Sequence, residues 1–366
     1  MDTLIDPYLT ALSGEIKQAA AHLPSVGPAY TLYFGGGTPS LLSPAQIKVL
    51  IDGCRTEFKL TDDAEVTLEC NPGDANIEKF SALRATGVNR ISIGVQSAHD
   101  SDLTMFNRRH SFEDARAAFG MAHAAGFDNV SVDLIYGAPN QTLSQWSDTL
   151  VSVLSWKPDH ISLYSLSLEE GTTLTRQVRD GVLPQPDSDL AADMYDLCRE
   201  KLAEQGFIHY EISNWALPHK ECRHNIQYWV NKPFLGFGAG AHGYAAGVRY
   251  WNVKPIPTYI ERVTGKNISQ QTQFVALDGM ESIDREVEMS DTVILGLRLL
   301  VQGLDAGDFE NRFGESLMGT YGDVIAPLID AGFLEWQGNR LLLAPRAYLV
   351  SNQIFNRFIP GEPLVA

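Results

Sequence analysis

Several residues whose chemistry suits ligand binding directly follow apolar, strand-like runs of the sequence. The run TLYF leads into Gly35, Gly36, Gly37 and Thr38. A triple glycine after a strand lets the backbone approach a ligand closely and exposes N–H groups to a carboxylate or phosphate, although a tight turn would need the same residues. Glu69 ends the run AEVTLEC, where its carboxylate could hold an ammonium group or act as a structural cap.

Three more polar residues follow the same pattern further along the chain. Gln96, in NRISIGVQS, could bond a sugar or a carboxylate, or it could bridge two strands. Arg108, in NRRH, could pair with a ligand carboxylate, although most arginines in such a stretch are merely solvated. Asp133, in VDLIYG, could accept hydrogen bonds from ribose hydroxyls, and a buried carboxylate there requires some partner.

The cysteines of the chain form no local metal or redox motif. The four, Cys54, Cys70, Cys198 and Cys222, never lie two or three residues apart. Cys54 and Cys198 stand at helical spacing from apolar neighbours, which predicts core positions. Free buried cysteines are typical of a reducing compartment.

The elements that must position these residues alternate between strands and helices. Helix-capping residues such as Ser111 precede amphipathic segments, and β-branched apolar runs lie between those segments. Such alternation predicts parallel strands joined by right-handed crossovers. A sixth strand of this kind is predicted at FIHYEIS, with Glu211, Ser213 and Asn214 at its end.

Polar residues at successive strand ends are typical of the C-terminal face of a β/α barrel, where the active site lies. The predicted fold class is therefore α/β, with a partial parallel β/α (TIM-like) barrel. A helix comes before the first visible strand, so the opening strand of the barrel is predicted to be missing. The strand that carries Tyr33 would then have an unpaired edge.

The C-terminal part has a different pattern. From about Ser290, VILGLRLL predicts an apolar helix, and two short helices, a hairpin over 333–344 turning at Gly338-Asn339 and a last helix follow. This pattern predicts an α+β, winged-helix-like module. The predicted boundaries are 1–175 for the barrel core, 176–285 for the completion of the barrel and 286–366 for the module.

Composition and charge exclude some classes of function. The net charge of −17 opposes a large phosphate-binding face, because nucleic-acid binders cluster Lys and Arg. The segment GAGAHG at 238–243 fits GxGxxG, but YAAGVRYW follows it where a dinucleotide fingerprint needs a helix. No apolar run reaches the length of a membrane span, and the N-terminus has no signal pattern, so a cytoplasmic protein is predicted.

The motifs YFGGGTPSLL, LECNPGD, NRISIGVQS, VDLIYGAPNQT, HNIQYW and GFGAGAHG occur in this order. Together they resemble the haem-chaperone (HemW) branch of the oxygen-independent coproporphyrinogen oxidase family of radical S-adenosylmethionine (SAM) proteins. The resemblance runs through nearly the whole chain, and HNIQYW followed by GAHG favours the chaperone branch over the true oxidases. It implies a partial barrel that binds SAM against a [4Fe-4S] cluster, and a protein that binds haem for delivery to acceptor proteins.

The resemblance also implies roles for individual residues. The SAM contacts it implies are Gly36, Gly37, Thr38, Glu69, Gln96, Arg108 and Asp133. Ser167 and His242 fall at family ligand positions with other residue types and are weaker candidates. Haem iron takes His, Cys, Met or Tyr, so His209, His224 and His242, which lie near the motif segments, are candidate ligands, with His224 preferred. A hydrogen-bonding role is the alternative for each of them, and for His224 that role is to position the segment 225–229.

One departure from the family concerns the cluster. The family's first strand carries a CxxxCxxC loop whose three thiolates bind the irons, and this sequence contains no such loop. Met1 would fall just downstream of that loop, so the expectation is an N-terminally incomplete chain, with a cluster-free relative as the alternative. The sequence therefore predicts no metal ligands of its own and no coproporphyrinogen oxidase activity.

Three functions remain open at this point. The first is haem trafficking, and the second is radical SAM chemistry on a tetrapyrrole such as coproporphyrinogen III. The third is nucleic-acid binding through the C-terminal module, which the acidic charge disfavours. Whether the chain forms a homodimer is left open by the sequence.

Overall fold

A computed structural model describes residues 2–23, 27–265 and 275–361. Its α-helices are α1 (Ile5–His22), α2 (Pro44–Phe58), α3 (Ile77–Thr86), α4 (Asp100–Met105), α5 (Phe112–Ala124), α6 (Leu143–Leu154), α7 (Thr173–Arg179), α8 (Ser188–Glu204), α9 (Arg223–Trp229), α10 (Ile256–Thr264), α11 (Arg285–Gly296), α12 (Ala306–Phe313), α13 (Leu317–Asp330) and α14 (Ser351–Asn356). Its strands are β1 (Thr31–Phe34), β2 (Glu65–Cys70), β3 (Arg90–Gln96), β4 (Val130–Tyr136), β5 (His160–Ser165), β6 (Ile208–Glu211), β7 (Asn214–Ala216), β8 (His242–Ala245), β9 (Val248–Asn252), β10 (Leu277–Ser282), β11 (Leu304–Asp305), β12 (Leu334–Gln337) and β13 (Arg340–Leu343). Short 3₁₀ helices lie at Asp2–Leu4, Pro39–Leu41, Pro72–Asp74 and Pro345–Val350.

These elements divide into two compact units. The barrel unit comprises Thr31–Lys48 and Glu65–Cys222. The second unit comprises the described residues of Met1–Tyr30, Val49–Ala64 and Arg223–Ala366.

The barrel unit is built on a curled sheet that forms a half-barrel. Seven strands lie in the order β1-β2-β3-β4-β5-β7-β6, and β1 to β5 are parallel. The connections between the parallel strands carry helices, as parallel pairing requires. The predicted α/β partial barrel is therefore confirmed, and β1, which carries Tyr33, is an edge strand in the part of the chain that the structure describes.

The sixth strand differs from the prediction. FIHYEIS forms β6, but the chain then turns back as β7, which pairs antiparallel with both β6 and β5. Glu211 is the last residue of β6, and its carboxylate accepts the backbone N–H of Ser213 at 3.0 Å and a hydrogen bond from Asn214 across the turn. The predicted sixth strand is present as β6 and runs in the same direction as β5, but β7 lies between the two strands. The polar side chains at its end, which were interpreted as ligand groups, instead bond one another across the hairpin turn.

The two faces of the half-barrel have opposite character. On β3, Ile91 and Ile93 are fully buried and alternate with Arg90 and Ser92, which are also buried but polar. The same alternation recurs along β2, β4 and β5 with the residues Glu65, Thr67, Glu69, Ser131, Asp133, His160 and Ser162. Because side chains point alternately to the two faces of a strand, one face of the sheet is apolar and the other is polar.

The second unit contains a smaller sheet and the C-terminal module. Strands β8, β9 and β10 form an antiparallel sheet, and α1 packs on α10 around a core that includes Ala11, Tyr259 and Val263. In the module, β12 and β13 form the predicted hairpin, which turns through Gly338 at φ 62°, and β11 joins its other edge. The α+β pattern of helices followed by a hairpin and a last helix is confirmed.

Two further predictions from the sequence concern the cysteines and membrane-spanning segments. All four cysteines are buried, and they form no disulfide among the residues that the structure describes. Among the described helices, none is long and apolar enough to cross a membrane.

Candidate functional site

The glycine segment leaves the end of β1 with an open backbone. Gly36 has φ 87°, in the left-handed region that favours glycine. A Cβ atom added to Gly36 or Gly37 would meet nothing within 4 Å, so this backbone faces open space. A Cβ on Gly35, in contrast, would lie 2.6 Å from the ring of Tyr33 and 2.8 Å from Oε1 of Glu69. Gly35 therefore permits a close approach within the protein, and the next two glycines leave room for a ligand.

Glu69 links the glycine segment to the sheet. Its Oε1 accepts the hydroxyl of Tyr33 at 2.9 Å, and its Oε2 accepts the backbone N–H of Gly36 at 3.2 Å. Burial raises the pKa of Tyr33, and the charge of Glu69 raises it further, so this hydroxyl stays protonated and donates. An ionised carboxylate has acceptor capacity beyond two bonds, so Glu69 both caps the loop and can still accept from an ammonium group.

Ser40, a functional candidate that was not predicted from the sequence, fixes the turn that follows the glycines. Its hydroxyl donates to Oδ2 of Asp74 at 2.7 Å and accepts the backbone N–H of Asn71 at 3.1 Å. The ammonium of Lys79 donates to the Ser40 carbonyl. Ser40 is 2% exposed, so these bonds are shielded from water. The loop after β1 is in this way tied to the loop after β2.

Gln96 ends β3 in a conformation that is rare for its residue type. Its φ is 71°, and the pairing of β3 with β4 shifts register between Ile93 and Gln96. Backbone strain of this kind is concentrated at functional sites. A Cβ on Gly94 would lie 2.9 Å from Nε2 of Gln96, so the glycine allows the amide to fold back over the strand.

Asp133 is held within the polar face by two serines. Ser92, which no sequence pattern was used to predict, donates from its hydroxyl at 3.1 Å to both carboxylate oxygens, and the side chain of Ser162 also hydrogen-bonds the carboxylate. Burial is the main cause that raises the pKa of Asp133 to about 6, and the charge of Glu69 adds to the shift. The serine hydrogen bonds and the charge of Arg90 act in the opposite direction. A further hydrogen-bond donor would therefore stabilise the ionised form of Asp133.

Arg108 contributes a positive charge near Asp133. It follows α4 on an exposed loop, and its backbone N–H donates to the carbonyl of Leu103 at 2.8 Å. Partial desolvation lowers the pKa of Arg108, and the charge of Asp133 acts against that shift. The guanidinium and the Asp133 carboxylate are thus close enough to interact.

The structure therefore brings most of the predicted ligand residues to one edge of the sheet. Glu69 contacts the glycine segment, and its charge acts on Asp133, which in turn acts on Arg108. Gln96 pairs with Leu134, the residue after Asp133. Ser167, after β5, is exposed and its hydroxyl donates to Glu169 at 2.9 Å, so it contributes a local turn contact.

His224 and His242 belong to the second unit. The Nε2 atom of His224 lies 2.8 Å from the hydroxyl of Tyr228 one helical turn later, and the two rings meet edge to face at 5.0 Å. This contact agrees with the alternative role of His224, the positioning of the segment 225–229. His242 opens β8, is exposed and stacks on Trp251 with a centroid distance of 6.3 Å.

The polar edge of the barrel unit fits SAM. That molecule presents an ammonium group, a carboxylate and a ribose diol, and the residues opposite them would be Glu69, Arg108 and Asp133. The open backbone at Gly36 and Gly37 admits a ligand, and deeper in the polar face the buried atoms Oγ1 of Thr67 and Nε of Arg90 have no protein partner. Such unpaired buried atoms are typical of an interior that holds water or a ligand.

The described residues do not fit an iron–sulfur cluster. No group of three or more His, Cys, Asp or Glu side chains among them could hold a metal ion. Burial raises the pKa of Cys70 to about 12 and that of Cys54 to about 11, so these thiols are protonated, whereas cluster ligands are thiolates.

Comparisons with known proteins connect this geometry to characterised families. Residues 11–153 match the radical SAM superfamily, and residues 283–350 match the HemN C-terminal domain. The curated protein "Heme chaperone HemW" of Mycobacterium tuberculosis is 38% identical over 95% of this chain and 85% of its own length. Proteins of the same name from Lactococcus lactis and Bacillus subtilis are each 35% identical, over 97% and 98% of this chain and 90% and 92% of their own lengths.

Among solved structures, the coproporphyrinogen III oxidase HemN of Escherichia coli, described as a radical SAM enzyme, superposes with a TM-score of 0.81. It is 26% identical and the match covers 96% of this chain and 82% of that one. The family resemblance and the fold class inferred from the sequence are confirmed by these matches.

Proposed function

The chain belongs to the HemW family of radical SAM proteins, and on that premise we propose that it is a haem chaperone, which binds haem and SAM and delivers haem to acceptor proteins. The observation that carries the proposal is the match to three curated haem chaperones over at least 85% of each relative. A match of that extent includes both the barrel unit and the C-terminal module.

We propose that SAM binds at the polar edge of the barrel unit. Glu69 would accept from the ammonium group, with Gly36, Gly37 and Thr38 lining the approach. Arg108 would pair with the carboxylate, Asp133 would accept from the ribose diol and Gln96 would cover the remaining side. SAM, when bound, supplies an electrophilic sulfonium. Reductive cleavage is not part of this proposal, because the described residues provide no ligand set for the cluster.

His224 remains the proposed iron ligand on the basis of the family resemblance. Its Nε2 atom lies within hydrogen-bond distance of Tyr228, so ligation through Nε2 would require that contact to break. Replacement by His224→Gln should then abolish the absorption change that iron ligation causes. If His224 only positions Tyr228, the haem spectrum will survive the substitution. Ser167 and His242 stay as weaker candidates for SAM contacts.

The haem and SAM proposals are tested by titration of the purified chain. Hemin should bind with a stoichiometry of about one, and SAM should bind to the wild type as measured by calorimetry. Glu69→Gln should weaken SAM binding by roughly tenfold or more, because a hydrogen bond to a charged group contributes about 1.5–3 kcal/mol. Glu78→Gln, on an exposed position of α3, is the matched control and should leave the affinity unchanged.

The other candidate functions give different results in the same experiments. A radical SAM oxidoreductase acting on coproporphyrinogen III would release 5′-deoxyadenosine and decarboxylate the porphyrinogen in a reduced reaction mixture. A cluster-free relative would bind haem or SAM with neither product. Failure of the chain to bind hemin would refute the chaperone proposal.

We further propose a cytoplasmic location, which the four buried thiols support, since none of them is in a disulfide among the described residues and disulfides are rare in reducing compartments. Formation of a homodimer stays a prediction that sedimentation of the purified chain would test.

A further inference from the structure

A cavity of about 200 Å³ lies within the second unit, and none of the described residues that line it is assigned to SAM or to iron. One wall is α1, with Ala19 and Leu23, and the opposite wall is one face of the β8–β10 sheet, with Val248 and Tyr250. Its other lining residues are Glu15, Gln18, Gly236, Phe237, Ala245, Ala246, Asn252, Val275, Ala276, Leu277 and Met280. Its surface is overwhelmingly apolar.

The polar groups at the wall are already engaged within the protein. Glu15 is buried, and its carboxylate accepts hydrogen bonds from Asn252 and Tyr259 at 2.6 Å each and from the Gly238 N–H at 2.8 Å. The hydroxyl of Tyr250 lies 3.0 Å from the Gly236 nitrogen, which donates to it. A ligand in this space would find apolar surface and few free hydrogen-bonding groups.

These engaged groups restrict the class of ligand. Burial is the main cause that raises the pKa of Glu15, so the protein bears a cost for one carboxylate at this wall already. A second carboxylate, such as the head group of a fatty acid, would be unfavourable beside it. The ligand part that enters is therefore uncharged and apolar.

The volume of the cavity suits a ligand that contains a ring. An engineered apolar cavity of about 150 Å³ binds benzene, so about 200 Å³ accommodates a substituted ring but not a whole macrocycle. The ring of Tyr250 packs against Gly243, where an added Cβ would lie 2.1 Å from the tyrosine Cζ. The ring of Phe237 stacks on that of Phe58 with a centroid distance of 5.5 Å. Two ring-bearing residues, Tyr250 and Phe237, therefore line this space, and Met280, which also lines it, is 70% exposed to solvent.

We propose that this cavity receives the apolar, vinyl- and methyl-bearing edge of a tetrapyrrole, while its carboxylate-bearing edge stays in solvent. The inference rests on the proposed haem binding and adds the place where the macrocycle is held. Contact with the ring edge requires no bond to iron, so the site would bind the iron-free porphyrin as well as haem.

The test uses the full chain with two probes, hemin and iron-free protoporphyrin, titrated by absorption and by fluorescence quenching. Val248→Phe places a ring in the cavity from β9 and should weaken binding of both probes by about tenfold or more. Val301→Phe, at a position 54% exposed in the second unit, is the matched control and should bind both probes like the wild type. Urea midpoints of both variants verify that they fold.

A measurement on the wild type keeps the inference testable if Val248→Phe does not fold. Naphthalene, an apolar compound of two fused rings, should compete with iron-free protoporphyrin for the wild-type chain. Unchanged porphyrin binding by a folded Val248→Phe variant, or no competition by naphthalene, would overturn the inference while leaving the haem-chaperone proposal intact. If the wild type binds neither probe, the proposed function itself fails and this inference fails with it.

Discussion

Replacement of Asp133 by Asn should stabilise the ligand-free protein at neutral and alkaline pH. Burial raises the pKa of Asp133 from 3.8 to about 6 in the folded state. For an acid with a raised pKa, the associated stability is fully present below the unfolded pKa near 4 and is lost as pH rises through 6. A shift of about two units at 1.36 kcal/mol each corresponds to about 3 kcal/mol lost at pH 8.

The Asp133→Asn variant avoids that loss, since an amide carries no charge at any pH. It gives up part of the hydrogen bonding from Ser92, which reaches both carboxylate oxygens, at a cost of about 1 kcal/mol. The variant should therefore be more stable than the wild type by about 2 kcal/mol at pH 8. This advantage should vanish between pH 4 and 5 and become a deficit of about 1 kcal/mol at lower pH.

Urea unfolding of the wild type and the variant at pH values from 4 to 8, without SAM, measures this difference. Asp148→Asn, at an exposed position of α6, is the matched control and should show no comparable dependence on pH. A stability difference that is constant with pH, or one in which Asp133→Asn is less stable at pH 8, would refute the reasoning. The same variant should also bind SAM less tightly, which would make Asp133 a residue retained for function at the expense of stability.

Three other substitutions probe the polar edge. Gly36→Ala should lower stability by about 1 kcal/mol, because φ 87° is costly for a side-chain-bearing residue, and calorimetry should show weaker SAM binding; an unchanged affinity would argue against ligand contact there. Ser40→Ala removes the hydroxyl that donates to Asp74, so it should destabilise the protein by about 1–3 kcal/mol in urea unfolding and should also lower the affinity for SAM. A loss of stability with unchanged SAM affinity would confine Ser40 to a structural role. Gly94→Ala displaces the flexible end of Gln96, so the affinity for SAM should fall while the urea midpoint changes little. A lower urea midpoint with unchanged SAM affinity would exclude Gln96 from binding.

The order of the elements was predictable because each carries a local signal. The serine at position 111 caps α5 with a complete capping box, and the parallel strands are marked by β-branched runs. The C-terminal hairpin was predictable from Gly338-Asn339. The direction of β7 was not predictable, because the three-residue segment NWA is too short to have a periodicity of its own. The pairing of β7 depends instead on its register with β5.

Of the candidate site, only the residues proposed to contact the ligand were predictable from the sequence, and the serines that hold them in place were not. Glycines and carboxylates after strands stand out in a sequence, whereas Ser40 and Ser92 are common residue types whose partners lie 34 and 41 positions away. A signal for Ser92 was nevertheless present. Both faces of a parallel strand are usually apolar, so the alternation of arginine and serine with isoleucine in NRISIGVQS indicates a polar interior face.

The hairpin of β6 and β7 also bears on how the sheet assembles. Its strands pair residues such as Glu211 and Asn214, which are three positions apart, whereas β1 pairs with β2 through Thr31 and Glu65, which are 34 positions apart. Closing a short loop costs less conformational entropy than closing a long one, and local pairings form faster. We therefore expect the hairpin to form early during folding. Its docking on β5 pairs residues such as Ser162 and Asn214, which are 52 positions apart, a longer separation than in any pairing of the parallel strands. We therefore expect the finished hairpin to join β5 after the parallel strands have paired with one another.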